Sequence, residues 1–254
     1  MTKLEKIGLS AFALKLIMLV LMLVDHLVLF FPMYFNNIPF LAALREAGRP
    51  FLTPFPLQLR EFGRLVLPTF AYLMTVSLSH TRNRMRFFLR MAIAGLIMLV
   101  CNWILARALG GPEITTVIFL SLAVSAGLIM SIERIITGEG YPWLNAVAAA
   151  LFIYAGTFVE GGLLTPVMAL VFYFLRGQRL AMCIVYIGVS WAYLEMARFM
   201  PIQMYQLWAV VPIMLYNGRK GGSGNVFLDK WLFYIFYPLH IWWLYIIRHL
   251  IFFA

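Results

Sequence analysis

The chain has little charge and very little acid. Of its 254 residues 12% are charged and ten are Asp or Glu, whereas 63% are hydrophobic. A soluble domain carries charge on roughly a quarter of its residues, so this composition excludes an ordinary soluble fold. Four stretches contain no acidic side chain: residues 16–24, 92–106, 143–158 and 180–194. Lipid is the solvent that such a sequence predicts.

The chain also lacks the motifs of several kinds of site. Its two cysteines, Cys101 and Cys183, both fall in apolar runs, where a buried thiol is expected rather than a disulfide. No Gly-rich phosphate loop, CxxC, HExxH or nucleophile elbow occurs. We therefore predict no metal centre and no soluble cofactor-binding fold. The net charge of +10 is spread over short loops, so we expect no nucleic-acid partner.

Apolar runs separated by short polar loops predict a bundle of transmembrane helices. Backbone groups in lipid must be hydrogen-bonded internally, and about 20 helical residues cross a hydrocarbon core. The sequence predicts an all-α, polytopic fold that forms one integral membrane domain over residues 1–254, with about nine spans. The candidate spans are 10–32, 63–80, 87–108, 114–136, 143–159, 162–176, 180–198, 202–217 and 229–252.

The distribution of basic residues predicts a cytoplasmic N-terminus. This orientation places most Lys and Arg residues on the cytoplasmic side, as the positive-inside rule requires. An odd number of spans would then put Arg248 and the C-terminus outside. The stretch from Pro32 to Phe62 contains five prolines, which predicts an outer loop. Residues 218–224, rich in glycine, predict a flexible cytoplasmic linker.

Ionisable residues inside the spans are the first candidates for a functional site, because each costs roughly 2.5–3.5 kcal/mol on insertion scales. Lys15 and His26 are eleven positions apart in the first span, so helix geometry places them on one face about 16 Å apart. Lys15 could instead snorkel to the cytoplasmic interface, and His26 could be an interfacial polar residue. Asp25 points about 100° away from His26, and we expect it to pair with another helix.

Two further ionisable residues lie in other spans. Arg64 opens the second span at the level of His26, where it is a permanent cation beside a candidate base, an interface anchor, or the partner of Asp25. His240 lies about eleven residues into the last span, directly after Pro238 and Leu239. We expect it to belong to the site or to form a structural hydrogen bond between helices.

Four arginines form a basic cluster at the cytoplasmic ends of the second and third spans: Arg82, Arg84, Arg86 and Arg90. One interpretation is a clamp for the phosphates of a cytoplasmic cofactor. The other is a topology signal with contact to anionic membrane lipids.

Three segments resemble the TraX family: Leu14-Lys15-Leu16-Ile17 through Val24-Asp25-His26, then residues 63–72, and residues 230–240 with the pattern FYxFYPLH. The resemblance covers the first and last quarters of the chain. It implies a bacterial inner-membrane acetyltransferase that draws on acetyl-CoA. The implied acceptor and partner is an F-type conjugative pilin, whose N-terminal amine is capped.

The spacing of Lys15 and His26 is also similar to a motif of the broader transmembrane acyltransferase group, a basic residue followed by a histidine in the first span. This resemblance implies that His26 is catalytic, as the general base or as the residue that handles the acyl group. Arg64, His240, Lys15 and Asp25 are further catalytic candidates. Arg64 or Lys15 would stabilise the developing oxyanion. Two alternatives stay open. One is an O-acetyltransferase acting on a glycan or lipid, and the other is a non-enzymatic transporter or pilus-assembly membrane factor.

Overall fold

The computed structural model describes residues 8–31, 57–198 and 201–252, and the regular elements in these ranges are helices. The prediction of an all-α fold is therefore confirmed. In chain order the elements are α1 (Ala11–Phe30), α2 (Leu57–Gly63), α3 (Val66–His80), α4 (Arg84–Leu109), α5 (Ile118–Thr137), α6 (Pro142–Gly156), α7 (Leu164–Phe174), α8 (Arg179–Met196), a 3₁₀ helix (Pro201–Ala209), α9 (Val210–Leu215) and α10 (Val226–Phe252).

Six of the described helical segments are long and apolar enough to cross a membrane. Five of them are α1, α4, α5, α8 and α10, and the sixth, Leu59–His80, joins the end of α2 to α3. Shorter apolar helices occupy the other three predicted spans: α6, α7 and the segment Ile202–Leu215. Each predicted span thus coincides with an apolar helix, and the chain is a membrane protein. The count of nine crossings stays a prediction.

One correction concerns the predicted outer loop from Pro32 to Phe62. Most of that loop falls outside the described residues, but its last part is helical, because α2 begins at Leu57. The sequence gives a physical reason, since Pro56 is the last proline before Pro68 and proline is well tolerated at the start of a helix.

The chain divides into two compact units, Met1–Val66 with Met200–Ala254 and Leu67–Phe199. In the first unit α1 packs against α2 and α10, and α2 packs against the 3₁₀ helix. In the second unit α5 is the central helix and packs against α4, α6 and α7. Every residue of α5 from Ser121 to Ser131 is buried. Large apolar side chains of α4 remain exposed, as a lipid-facing helix requires: Ile93, Leu96, Ile97, Leu99, Val100, Trp103 and Ile104.

Backbone hydrogen bonds tie the start of α1 to the segment that precedes α10. The N–H groups of Ala11 and Phe12 donate to the carbonyls of Arg219 and Lys220 at 2.9 and 3.0 Å. The first N–H groups of a helix have no partner within the helix, so these carbonyls satisfy them. This part of the predicted flexible linker is therefore held against α1.

Helices α1 and α10 run parallel. Near their starts, Lys15 of α1 interacts electrostatically with Asp229 of α10. Eleven residues further along both helices, His26 forms a hydrogen bond with His240. The same spacing in both helices means that they keep a common direction and a common register.

The parallel pair constrains the number of membrane crossings. Two helices that cross in the same direction are joined by an odd number of crossings. Four long helices are described between α1 and α10, and the prolines of residues 32–56 predict no crossing there. If all six long helices cross, an odd number of the three shorter apolar helices must cross as well.

An odd number of crossings places residues ahead of α1 and residues after α10 on opposite sides of the membrane. With a cytoplasmic N-terminus, we expect alkaline phosphatase fused after Ala254 to be active, because this enzyme folds only outside the cytoplasm. A fluorescent protein that matures only in the cytoplasm should be dark at the same position. The matched control is a fusion after Gly224, ahead of α10, which should give the reverse pattern. Fluorescence from the fusion after Ala254 would contradict the parallel crossing.

Candidate functional site

His26 and His240 form a hydrogen-bonded pair in the first unit. Nδ1 of His26 lies 2.8 Å from Nε2 of His240, and the two ring centroids are 5.0 Å apart. Their exposed fractions are 6% and 7%. Since His26 belongs to α1 and His240 to α10, the two histidines form one site where the parallel helices meet.

A second hydrogen bond fixes the positions of the protons in this pair. Nδ1 of His240 lies 2.8 Å from the backbone carbonyl oxygen of Phe236. A carbonyl oxygen only accepts, so Nδ1 of His240 carries the hydrogen, and Nε2 of the neutral ring is an acceptor. Nδ1 of His26 must then donate to it. Nε2 of His26 is left without a hydrogen, and its lone pair is available as a base.

Aromatic rings enclose the histidine pair. Phe236 stacks on His240 with a centroid distance of 5.0 Å, and Tyr237 meets the same ring edge-on at 5.7 Å. On the other side, the ring of Phe30 lies 6.4 Å from that of His26. Hydrogen bonds are electrostatically stronger in such apolar surroundings than in water, so the pair is held firmly.

Asp25, the neighbour of His26 in α1, is held by two arginines. Nη2 of Arg64 donates to both carboxylate oxygens, at 3.1 and 2.9 Å, and Nε of Arg60 donates to Oδ1 at 3.2 Å. Asp25 is 7% exposed. The expectation that it pairs with another helix is borne out by this geometry. Two guanidinium groups share one carboxylate, so these three side chains carry an excess of one positive charge.

Arg60 was not among the site residues predicted from the sequence, because it falls in the part of the chain expected to be a loop. In the structure Arg60 lies in α2, and Arg64 follows in the turn after Gly63. A signal was present, since residues four apart share one face of a helix. The next carboxylate along α2, Glu61, is buried and is hydrogen-bonded to Tyr205 of the 3₁₀ helix.

Gly63 lets α2 approach α1 at the carboxylate. A Cβ atom at this position would lie 2.5 Å from Cβ and 2.6 Å from Cγ of Asp25, distances that real Cβ atoms essentially never show. The backbone of Gly63 therefore packs directly on the Asp25 side chain. The glycine sets the separation at which Arg60 and Arg64 can reach the carboxylate.

Lys15 does not join this site. It is half-buried near the start of α1, where it interacts electrostatically with Asp229. Eleven helical residues separate it from His26, a distance of about 16 Å along the axis. Its catalytic role stays a prediction, and one that involves no contact with His26.

The arginine cluster of the second unit is divided. Arg84 forms an ion pair with Glu133 of α5, whose other carboxylate oxygen accepts a hydrogen bond from the Tyr173 hydroxyl at 2.9 Å. The guanidinium of Arg90 lies over the ring of Phe87, 5.6 Å from its centroid. Arg82 and Arg84 line a cavity of about 450 Å³, which Arg86 and Arg90 do not line.

A model of the family described as "TraX protein" matches residues 10–248. The chain belongs to the TraX family. The matched range includes both histidines, Asp25 and the two arginines that bind it, so the resemblance inferred from the sequence is confirmed. TraX membership identifies a membrane protein associated with pilin in conjugation. No curated protein and no solved structure matches the chain.

Replacing Gly63 by Ala should disturb the carboxylate site. The added methyl group collides with Asp25, and overpacking of this kind costs about 1–3 kcal/mol. We expect a lower melting temperature of the detergent-solubilised protein. The matched control is Gly188→Ala in α8, where a Cβ atom would meet nothing within 4 Å. Equal melting temperatures for the two variants would show that Gly63 does not set the contact.

Replacing Asp25 by Asn should leave two guanidinium groups without a counter-charge. Removing one partner of a fully buried pair costs about 3–5 kcal/mol. Since the arginine side chains are 27% and 21% exposed, we expect a smaller loss, about 2 kcal/mol. The double variant Asp25→Asn/Arg64→Gln should regain part of the loss, because one surplus charge is removed. A double variant less stable than Asp25→Asn would contradict the pairing.

Proposed function

We propose that this TraX chain is a membrane-embedded acetyltransferase of the bacterial inner membrane. It transfers acetyl from acetyl-CoA to the N-terminal amine of a conjugative pilin. The observation that supports the proposal most is the hydrogen-bonded pair of His26 and His240, which leaves Nε2 of His26 as a base. The association of the family with pilin supports the acceptor.

The chemistry needs a base of this kind. A neutral amine attacks the acetyl carbon of the thioester, which acetyl-CoA supplies. As the C–N bond forms, the amine nitrogen must lose one proton, and Nε2 of His26 accepts it. When the C–S bond breaks, the departing thiolate takes that proton from His26. The products are the acetylated amine and CoA, and the histidine returns to its first state.

His240 acts as a positioning residue in this scheme. By accepting a hydrogen bond from Nδ1 of His26, it keeps Nε2 of His26 unprotonated and fixes the orientation of the ring. It also shares the positive charge that His26 gains on taking up the proton. The Phe236 carbonyl holds His240 in turn. As in a catalytic triad, the base is oriented by a hydrogen-bonded partner, but here the base acts directly on the acceptor amine and no side-chain nucleophile is involved.

Arg64 and Arg60 both bind Asp25, the residue next to His26 in α1. Their shared carboxylate belongs to Asp25, so one positive charge is left over beside the base. A preorganised cation stabilises the negative charge that develops on the carbonyl oxygen, and it is worth more where water is scarce. We assign this role to Arg64 with Arg60 rather than to Lys15.

Replacing His26 by Ala should abolish acetylation of pilin, because no other group in the described site holds a basic nitrogen in this position. The measurement is the intact mass of mature pilin from cells that express the variant. Membrane insertion and pilin abundance should be unchanged. His80→Ala is the matched control, since His80 is an exposed histidine at the end of α3. Pilin that lacks an acetyl group even with the native chain would contradict the proposed acceptor. An acetylated glycan or lipid in the same cells would then indicate an O-acetyltransferase.

Replacing His240 by Ala should slow acetylation without abolishing it. A misplacement of about 1 Å in a catalytic group can cost about 100-fold in rate, and we expect a loss of this order. His240→Gln offers an amide oxygen as acceptor, and we expect it to recover part of the rate. The rate is followed with purified protein, acetyl-CoA and a pilin N-terminal peptide. A His240→Ala variant as active as the native chain would show that the pair is only structural.

A further inference from the structure

The cavity of the second unit lies between the start of α4 and the end of α5. Its volume is about 450 Å³, within the range of roughly 300–1,000 Å³ typical of sites for small molecules and cofactors. The residues that line it are Arg82, Asn83, Arg84, Met85, Met130, Glu133, Arg134, Thr137 and Glu139. It is distinct from the histidine site, which belongs to the first unit.

The charges of the lining are not equally engaged. Arg84 is neutralised by Glu133, which the Tyr173 hydroxyl also holds in place. Arg82 and Arg134 form no ion pair with any residue in the described ranges. Two guanidinium groups at this cavity are therefore available to an anion, and Arg134 was absent from the candidates drawn from the sequence.

Helix dipoles do not decide the sign of this site. The N-terminal end of α4 favours an anion, whereas the C-terminal end of α5 favours a cation, and both ends reach the cavity. The two contributions oppose each other. Side-chain charge then decides, with three arginines against two glutamates in the lining.

We infer that this cavity binds the phosphate groups of a ligand, with Arg82 and Arg134 as the residues that contact them. Guanidinium groups bind phosphate through parallel N–H donors, which gives both affinity and orientation. The identification of the ligand as the nucleotide part of CoA rests on the proposed function. Arg86 and Arg90, which share the sequence cluster but do not line the cavity, are not part of this site.

Glu139 provides a second, independent test of phosphate binding at this cavity. Its carboxylate also lines the cavity, where it opposes the binding of an anion. Glu139 has no ion pair within the described part of the chain. Removing its charge should therefore strengthen the binding of a phosphate, the opposite effect to removing Arg82 or Arg134.

The test is the affinity of the purified full-length chain for CoA and for 3′-dephospho-CoA in an uncharged detergent. Arg82→Gln/Arg134→Gln should weaken CoA binding at least about tenfold, since charge-assisted hydrogen bonds are lost. Glu139→Gln should tighten it. Arg107→Gln/Arg179→Gln changes the net charge equally at exposed positions and serves as the control. Arg86→Gln/Arg90→Gln should weaken binding less than about twofold.

A parallel arm measures phosphatidylglycerol retained by each variant in native mass spectrometry. Equal losses of CoA affinity in all the arginine variants would overturn the cavity site and indicate a general basic surface. If the native chain ignores CoA but retains phosphatidylglycerol through Arg82 and Arg134, the phosphate site stands and the acetyl donor of the proposed function fails. If neither probe depends on these two residues, the cavity site fails, while pilin acetylation remains measurable on its own.

Discussion

A polar group buried among apolar helices must find a partner, because neither lipid nor a hydrocarbon side chain can solvate it. The first unit satisfies this requirement twice along one turn of α1. His26 is bonded to α10 through His240, and Asp25 is bonded through Arg60 and Arg64 of the α2 region. Two adjacent side chains thus fasten α1 to two different neighbours. The placement of α2 and α10 around α1 follows from these bonds as much as from apolar packing.

The sequence was sufficient to locate the ionisable residues that are unfavourable inside a membrane span. Asp25, His26 and His240 stand out because ionisable side chains are costly in a span. Asp25 and His26 are adjacent and point about 100° apart on the helix, which already predicts that they bind different partners. All three are buried in the structure. The all-helical fold and the positions of the apolar segments were predictable on the same ground, since periodicity and length along the chain carry that information.

Other features depend on packing that the sequence does not encode locally. The bond between His26 and His240 joins residues 214 positions apart and requires α1 and α10 to run parallel. Arg60 was not predicted as a site residue, because it lies in α2 and the start of that helix depends on where a proline-rich stretch ends. Arg134 was hidden because only the packing of α4 on α5 brings it to the same cavity as Arg82. For the histidine pair and for Arg134, the missing information is the packing between helices that are distant in sequence.

The paired residues on α1 and α10 are equally spaced, so both pairs can form only while the two helices keep the same register. Lys15 and His26 are separated by the same number of residues as Asp229 and His240. Deleting one residue within either interval would turn everything beyond it by about 100° and shorten it by about 1.5 Å. One pair could then form only at the expense of the other. Length, more than composition, is the property that this stretch of the chain has to keep.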